Sequence, residues 1–199
     1  GANLTITTRA VTVTADAKLK AYGDADPALT YTITSGTLAG TDLFAGALTR
    51  TAGENVGTYA ILQGTLALSS NYTLTYIGAN LTIAGRLITV TADPKTKIYG
   101  ESDPALTYQI TSGTLVGTDT FSGALTRDAG ENVGTYAITQ GTLALSSNYT
   151  LNYVGAIFTI VRAAVAITGT ADSKSKVYGD ADPALTYQIT SGTLAYAFG

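Results

Sequence analysis

Apolar residues along the chain alternate with polar ones and do not recur at helical spacing. Val11 and Val13, then Leu29, Tyr31 and Ile33, then Tyr59 and Ile61, then Tyr72, Leu74 and Tyr76, then Leu81 and Ile83 each form a period-two run. That spacing places each set on one face of a strand. Turn-forming clusters separate the runs: Gly23 to Pro27, Ser35-Gly36, Gly40-Thr-Asp42, Gly53-Glu-Asn55 and Ser69-Ser-Asn71. Short strands punctuated at such intervals predict an antiparallel sandwich or barrel. No window gives a convincing amphipathic helix, so the predicted class is all-β. The inward set is expected to be Leu29, Tyr31, Ile33, Tyr59, Ile61, Leu74 and Ile83, with the counterparts of each one repeat later.

The pattern is written more than once. Gly23-Asp-Ala-Asp-Pro-Ala-Leu-Thr-Tyr31 recurs, with small changes, at Gly100 to Tyr108 and at Gly179 to Tyr187, spacings of 77 and 79 residues. Ala52 to Ile61 returns as Ala129 to Ile138, and Leu66 to Leu74 returns as Leu143 to Leu151. Residues 7–83 and 84–160 are two full copies, matching at roughly three quarters of positions. Residues 1–6 match Gly78 to Ile83 and read as the last strand of a preceding repeat. Residues 161–199 open a third, incomplete copy that follows the template to Ser191-Gly-Thr-Leu194 and then diverges. This copy carries two extra residues in the region Val161 to Gly169, an even insertion that preserves which side chains face inward. The copies are joined through Ala84-Gly85 with almost no spacer. Tandem β-sandwich-like domains arranged end to end in an elongated rod are therefore expected, with little hinge freedom. The two unfinished ends lead us to expect a piece of a longer polypeptide or a member of an end-to-end assembly.

Composition narrows the function. Charged residues make up only 13% of the chain, and Cys, His, Met and Trp are absent. Without His or Cys the commonest general base, thiol chemistry and the commonest transition-metal ligands are missing. No Ser lies in a nucleophile motif, so no enzyme is expected. A net charge of −3 and a pI near 4.7 offer no attractive field for nucleic acid or anionic lipid. No apolar run approaches the roughly 20 residues that span a bilayer, so no membrane insertion is expected in this segment.

Three ordered blocks stand at fixed spacing: Lys-x-Tyr-Gly-Asp-x-Asp-Pro-x-Leu-Thr-Tyr, then Ala-Gly-Glu-Asn-Val-Gly-Thr-Tyr-Ala-Ile, then Asn-Tyr-x-Leu-x-Tyr-x-Gly-x-x-x-Thr-Ile. They occur twice in full and once in part, and together the chain resembles the MBG ("mostly bacterial, glycine-rich") repeat family. The resemblance implies a module of large secreted bacterial adhesin-like proteins at the cell surface, with no catalytic residues to carry over.

The acidic motif admits two readings. Asp24 and Asp26, with Asp16 nearby, recur as Glu101 and Asp103 and as Asp180 and Asp182. The first reading is a Tyr-Gly-Asp-x-Asp-Pro turn in which Asp bonds local backbone N–H groups and Pro27 fixes the chain direction. The second is an oxygen-rich calcium site formed by Asp24, Asp26, Asp103 and Asp182 in their respective copies. Nothing matches the spaced ligands of an EF-hand, so the turn ranks first and no cofactor is expected. Arg50 with Glu54, and Arg127 with Glu131, read as surface ion pairs of small energy. Tyr72 with Tyr76, and Tyr149 with Tyr153, read as core aromatics with a wet hydroxyl before a sugar-stacking strip. Asn3, Asn71, Asn80 and Asn148 head formal glycosylation tripeptides of the kind that Thr-rich sequence produces by composition.

The function expected on these grounds is a structural stalk or spacer of an extracellular adhesin or filament, with neighbouring repeats or end-to-end copies as partners. The alternative is an adhesin module that binds a host, cell-surface or glycan ligand through the avidity of repeated weak sites.

Overall fold

A computed structural model of the chain describes residues 1–163 and 167–192. Part of the insertion at Val161 to Gly169, and the divergence after Leu194, lie outside the described residues. Among those described there are sixteen strands and no helix. The first repeat supplies β1 (Arg9–Ala15), β2 (Lys18–Ala21), β3 (Tyr31–Ser35), β4 (Thr49–Arg50), β5 (Gly57–Leu62), β6 (Tyr72–Ile77) and β7 (Ala79–Ala84). Runs such as Val11-Thr-Val-Thr14 favour the extended backbone because β-branched side chains pack well on a pleated surface.

These strands form two sheets, ordered β3-β1-β6 and β2-β7-β5-β4. Both are mixed, whereas the alternation alone had suggested antiparallel pairing. β1 is antiparallel to β3 but parallel to β6, and β7 is antiparallel to β5 but parallel to β2. The cause is a shared bend. Arg9 pairs with Tyr72 and Lys18 pairs with Leu81, the same offset of 63 residues in both sheets. Segments 9–21 and 72–84 thus run side by side in one direction, and both switch sheets, at Asp16-Ala17 and at Gly78. Gly78 suits the crossing because a Cβ there would lie 3.2 Å from the Ile61 carbonyl oxygen.

The core lies between the two sheets. Val11, Val13 and Ala15 come from β1, and Ile61 and Leu81 from β5 and β7, with Leu48 and Leu66 folded in from the connections. Each of the Val, Ile and Leu side chains contributes roughly 1.5–3 kcal/mol by leaving water. Leu29, Tyr31, Leu74 and Tyr76 are half-buried around them, and Tyr31 meets Phe44 edge-on at 5.1 Å. Ile83 is buried and Tyr59 half-buried as the alternation predicts. Ile33 is the exception. It stands opposite Val13 but remains 43% exposed, as does its counterpart Ile110 at 42%. β3 is an edge strand, so a side chain on the correct face still lacks a neighbour on its outer side.

The second repeat repeats the plan with β8 (Arg86–Ala92), β9 (Lys95–Ile98), β10 (Tyr108–Ser112), β11 (Thr126–Arg127), β12 (Gly134–Thr139), β13 (Tyr149–Val154) and β14 (Ala156–Val161). Its sheets are ordered β10-β8-β13 and β11-β12-β14-β9. In the third, β15 (Thr168–Ala171) and β16 (Tyr187–Ser191) form a two-stranded sheet among the described residues. Apolar residues beside them, such as Val177, Leu185 and Tyr187, stay exposed. Residues 1–6 behave likewise: Leu4 and Ile6 are 90% and 88% exposed, whereas their counterparts Leu81 and Ile83 are 0% and 1% exposed.

The chain divides into two compact units that do not follow the repeat boundaries. The first comprises Gly1–Val90, Ile110–Ser122 and Ala144–Asn152. The second comprises Thr91–Gln109, Gly123–Leu143 and the described residues from Tyr153 onward. The first unit therefore contains the whole of repeat one together with three segments of repeat two.

Candidate functional site

Two constellations stand out, a charge cluster within each repeat and a junction inside the first unit. The charge cluster begins with Lys20, which the alternation of β2 turns inward so that only 4% of its side chain is exposed. An ammonium in that position requires partners. Its Nζ donates to Asp26 Oδ1 at 2.6 Å, to Glu54 Oε2 at 2.6 Å and to the Asp24 carbonyl at 3.1 Å. Arg50 closes the ring, donating through Nε to Asp26 Oδ2 at 2.5 Å and through a second nitrogen to Glu54. Its third nitrogen donates to the carbonyls of Thr51 and Gly53, and its plane lies 5.5 Å from the centre of the Tyr59 ring. Gly53 permits this closeness, since it sits at φ +142° and a Cβ would lie 2.1 Å from the Tyr59 ring.

The electrostatics follow from the contacts. Hydrogen bonds from Arg50, then Lys20, hold the Asp26 carboxyl at about 2, well below its ordinary range. Glu54 is also lowered, chiefly by Lys20, and Lys20 is raised, chiefly by Asp26. Two cations and two carboxylates compensate one another. The Arg50–Glu54 pair read from sequence is present, but Arg50 is only 11% exposed and the pair is half of a four-membered network.

The second repeat reproduces it residue for residue. Lys97 donates to Asp103 at 2.6 Å and to Glu131, and Arg127 donates to Asp103 at 2.5 Å and to Glu131 at 2.5 Å. Arg127 also stacks over Tyr136 and over Phe158 at 4.8 Å. In the third copy Lys176 pairs with Asp182 at 2.5 Å. Asp26, Asp103 and Asp182 are thus each held by a lysine, and Asp24 by Arg86. Asp16 belongs elsewhere, accepting from Thr30 Oγ1 at 2.5 Å. Among the described residues no three acidic side chains are grouped to hold a metal ion. The turn is formed by the backbone, with the Asp24 N–H donating to the Ala21 carbonyl at 3.1 Å. The Asp26 carboxylate turns to the cations of its own repeat.

The junction is built on that turn. The Tyr22 hydroxyl donates to Asp119 at 3.1 Å, and the Tyr149 hydroxyl donates to the same oxygen at 2.6 Å while accepting from the Val116 N–H at 2.8 Å. The two rings meet edge-on at 5.4 Å. Burial and then the Asp119 carboxylate push both phenols up. Gly23, at φ +80°, lies against Val116 so closely that a Cβ would fall 2.3 Å from a methyl carbon. Arg86 donates to the Tyr22 carbonyl at 2.8 Å and to Asp24 at 2.5 Å. Asn148 accepts from the Val56 N–H at 2.9 Å and donates to Asn55 at 3.0 Å. A turn and a Gly-rich connection of repeat one are held by side chains of repeat two, and only Gly85 separates β7 from β8.

Three tyrosines read from the sequence as core aromatics or a stacking strip, Tyr72, Tyr76 and Tyr153, are internally committed. Tyr76 and Tyr153 donate to the carbonyls of Ile61 and Ile138, and Tyr72 donates to Asp42 at 2.6 Å. Sequence reasoning missed Lys20, Lys97 and the Tyr22–Asp119–Tyr149 contact. The signal for the lysines was their inward position in a strand pattern, whereas residues 97 apart in sequence carry no local trace of their meeting.

These features define a tandem-repeat, all-β protein in which adjoining copies are fastened by dedicated side chains. The MBG domain of YGX type matches residues 11–82, 88–159 and 167–196, and the chain belongs to that family. No curated protein and no solved structure matches it. Family membership supports a repeated domain of a bacterial surface protein. No helix of the described residues is long and apolar enough to cross a membrane.

Proposed function

We propose that the chain is a non-catalytic spacer, part of an extracellular stalk or filament that carries an adhesive region away from the bacterial surface. The observation that carries this reading is the junction. Tyr22, Gly23 and Asp24 are gripped by Tyr149, Asp119, Val116 and Arg86, and Asn55-Val56 by Asn148. A one-residue connection reinforced by such contacts suits an array whose copies hold a fixed relation to one another, whereas a flexible linker would carry Gly/Ser-rich chain. In such an array, stability is a sum of repeat and neighbour terms, so length grows by adding copies. Small-angle scattering from arrays of two, three and four copies tests the reading. The maximum dimension should increase by a constant amount per copy, and growth close to the square root of copy number would refute it.

A further inference from the structure

An edge strand is where a sheet can take on another chain, and native proteins guard such edges with charge, with bulges or with very short strands. The two sheets of repeat one have four edges, β3, β6, β2 and β4. β2 carries Lys18 and Lys20, β4 is two residues long, and β3 is bulged where Ile33 and Ser35 face the adjacent Val13 and Thr12. β6 has none of these devices. It runs for six residues without charge or proline, in unbroken register with β1. Its counterpart β13 is also six residues long, uncharged and at the edge of its sheet. The open edge is a property of the repeat. β6 belongs to a copy that a full copy follows, and β13 to a copy that a full copy precedes. Thr75 and Ile77 are exposed in the first setting, as Asn152 and Val154 are in the second.

The ladder fixes which groups β6 offers. The Arg9 N–H donates to the Asn71 carbonyl at 2.9 Å, as that of Arg86 does to Asn148 at 3.0 Å. Alternate residues of a parallel strand turn both N–H and C=O to the same neighbour. Thr73 and Thr75 therefore serve β1, and Tyr72, Leu74 and Tyr76 point their backbone groups away from it. The Tyr72 N–H closes a turn on the Ser69 carbonyl at 3.1 Å. The side chains along this edge, Tyr72-Thr-Leu-Thr-Tyr76, read the same in both directions, and Tyr149-Thr-Leu-Asn-Tyr153 departs from that symmetry only at Asn152.

We propose that β6 pairs antiparallel with β6 of a second copy of this chain, about a two-fold axis through Leu74. That register sets Leu74 opposite Leu74, Tyr72 opposite Tyr76 and Thr73 opposite Thr75, so the backbone groups that β1 leaves over meet one another. The two Leu74 residues exchange both of their bonds, and each Tyr76 N–H donates to a Tyr72 carbonyl. Thr73 and Thr75 meet across the strands on the outer face, a pairing that favours a sheet. Two-fold symmetry of the side chains, which a foreign strand would not require, selects a second copy as the partner. β13 offers the same edge in the next repeat, so chains that carry several copies would associate through several such contacts. The inference goes beyond the spacer reading and does not depend on it.

Sedimentation velocity and cross-linking of the full chain test it. The weight-average mass should rise with concentration. Thr75→Lys/Asn152→Lys places an ammonium on each open edge and should leave the chain monomeric where the unaltered chain associates, with circular dichroism unchanged. The chain has no cysteine, so Thr73→Cys and Thr75→Cys report the register. Opposed residues that do not share ladder bonds lie about 4.5 Å apart, within disulfide reach, whereas each residue is about 7–8 Å from its own copy. Under mild oxidation a mixture of the two variants should cross-link about tenfold faster than either alone. A monomer at every concentration would overturn the proposal, as would association indifferent to the lysines or cross-linking no faster in the mixture. None of these results bears on how the length of a covalent array grows with copy number, so failure here is separable from failure of the spacer reading.

Discussion

Replacing Asp26 with Asn removes the one negative charge that Lys20 and Arg50 share, with almost no change in shape. The folded carboxyl titrates at about 2 against an ordinary 3.8. Converted in full, that difference is about 2.4 kcal/mol. The Asp26 side chain is 40% exposed, so water screens more than half of it and about 1 kcal/mol remains. The sign follows from the direction of the shift. A depressed folded value makes the contribution complete above pH 3.8, and it is lost as pH falls through about 2. Urea unfolding of the full chain, followed by far-ultraviolet circular dichroism at several pH values, measures the effect. Asp26→Asn should lower stability by about 1 kcal/mol at pH 7 with an unchanged denaturant slope, and the gap should close between pH 4 and pH 2. A gap that persists at pH 2, or that is absent at pH 7, would refute the assignment of Asp26 as the anchor of Lys20 and Arg50.

Other expectations follow from the same structure. Leu81→Ala, at a fully buried position of β7, should cost about 2–5 kcal/mol in chemical denaturation. Gly23→Ala combines a positive φ with a Cβ 2.3 Å from Val116 and should cost about 1–3 kcal/mol, part of which Val116→Ala recovers. Spectrophotometric titration should find phenols that ionise above pH 10, with stability lost as pH rises through those raised values, and Asp119→Asn should bring them down. Chelator should leave the melting temperature within a degree or two, since the lysine and arginine partners already compensate Asp26 and Asp103; a larger fall would favour the calcium reading.

Strand positions were legible because period two is a local property: Ile61 and Ile83 could be placed inward from spacing, and Val11 and Val13 on one face of a strand. The parallel pairs were not, because the common 63-residue offset of β1 with β6 and β2 with β7 depends on two distant bends agreeing. Ile33 has an inward-facing address but sits on an edge, and edges are set by strand order. Lys20 reads as solvent-facing by residue type, yet Asp26 and Glu54, six and thirty-four residues later, make its burial tolerable. Sequence marked Asp26 and Asp103 as notable, and only the structure assigned them partners. The junction was the least visible feature, since Tyr22, Asp119 and Tyr149 converge from three separate segments.

The placement of β1 and β7 bears on how a repeat responds to being pulled. The chain enters through β1 and leaves through β7, and both are flanked on two sides, by β3 and β6 and by β5 and β2. β8 and β14 occupy the same places in the second repeat. Tension along the polypeptide therefore slides an interior strand lengthwise against two neighbours, and ladder bonds that lie across the pull must yield together. A strand peeled from an edge would release them one at a time. Each copy is arranged to resist traction, and its lifetime under load is governed by the rate of that concerted rupture.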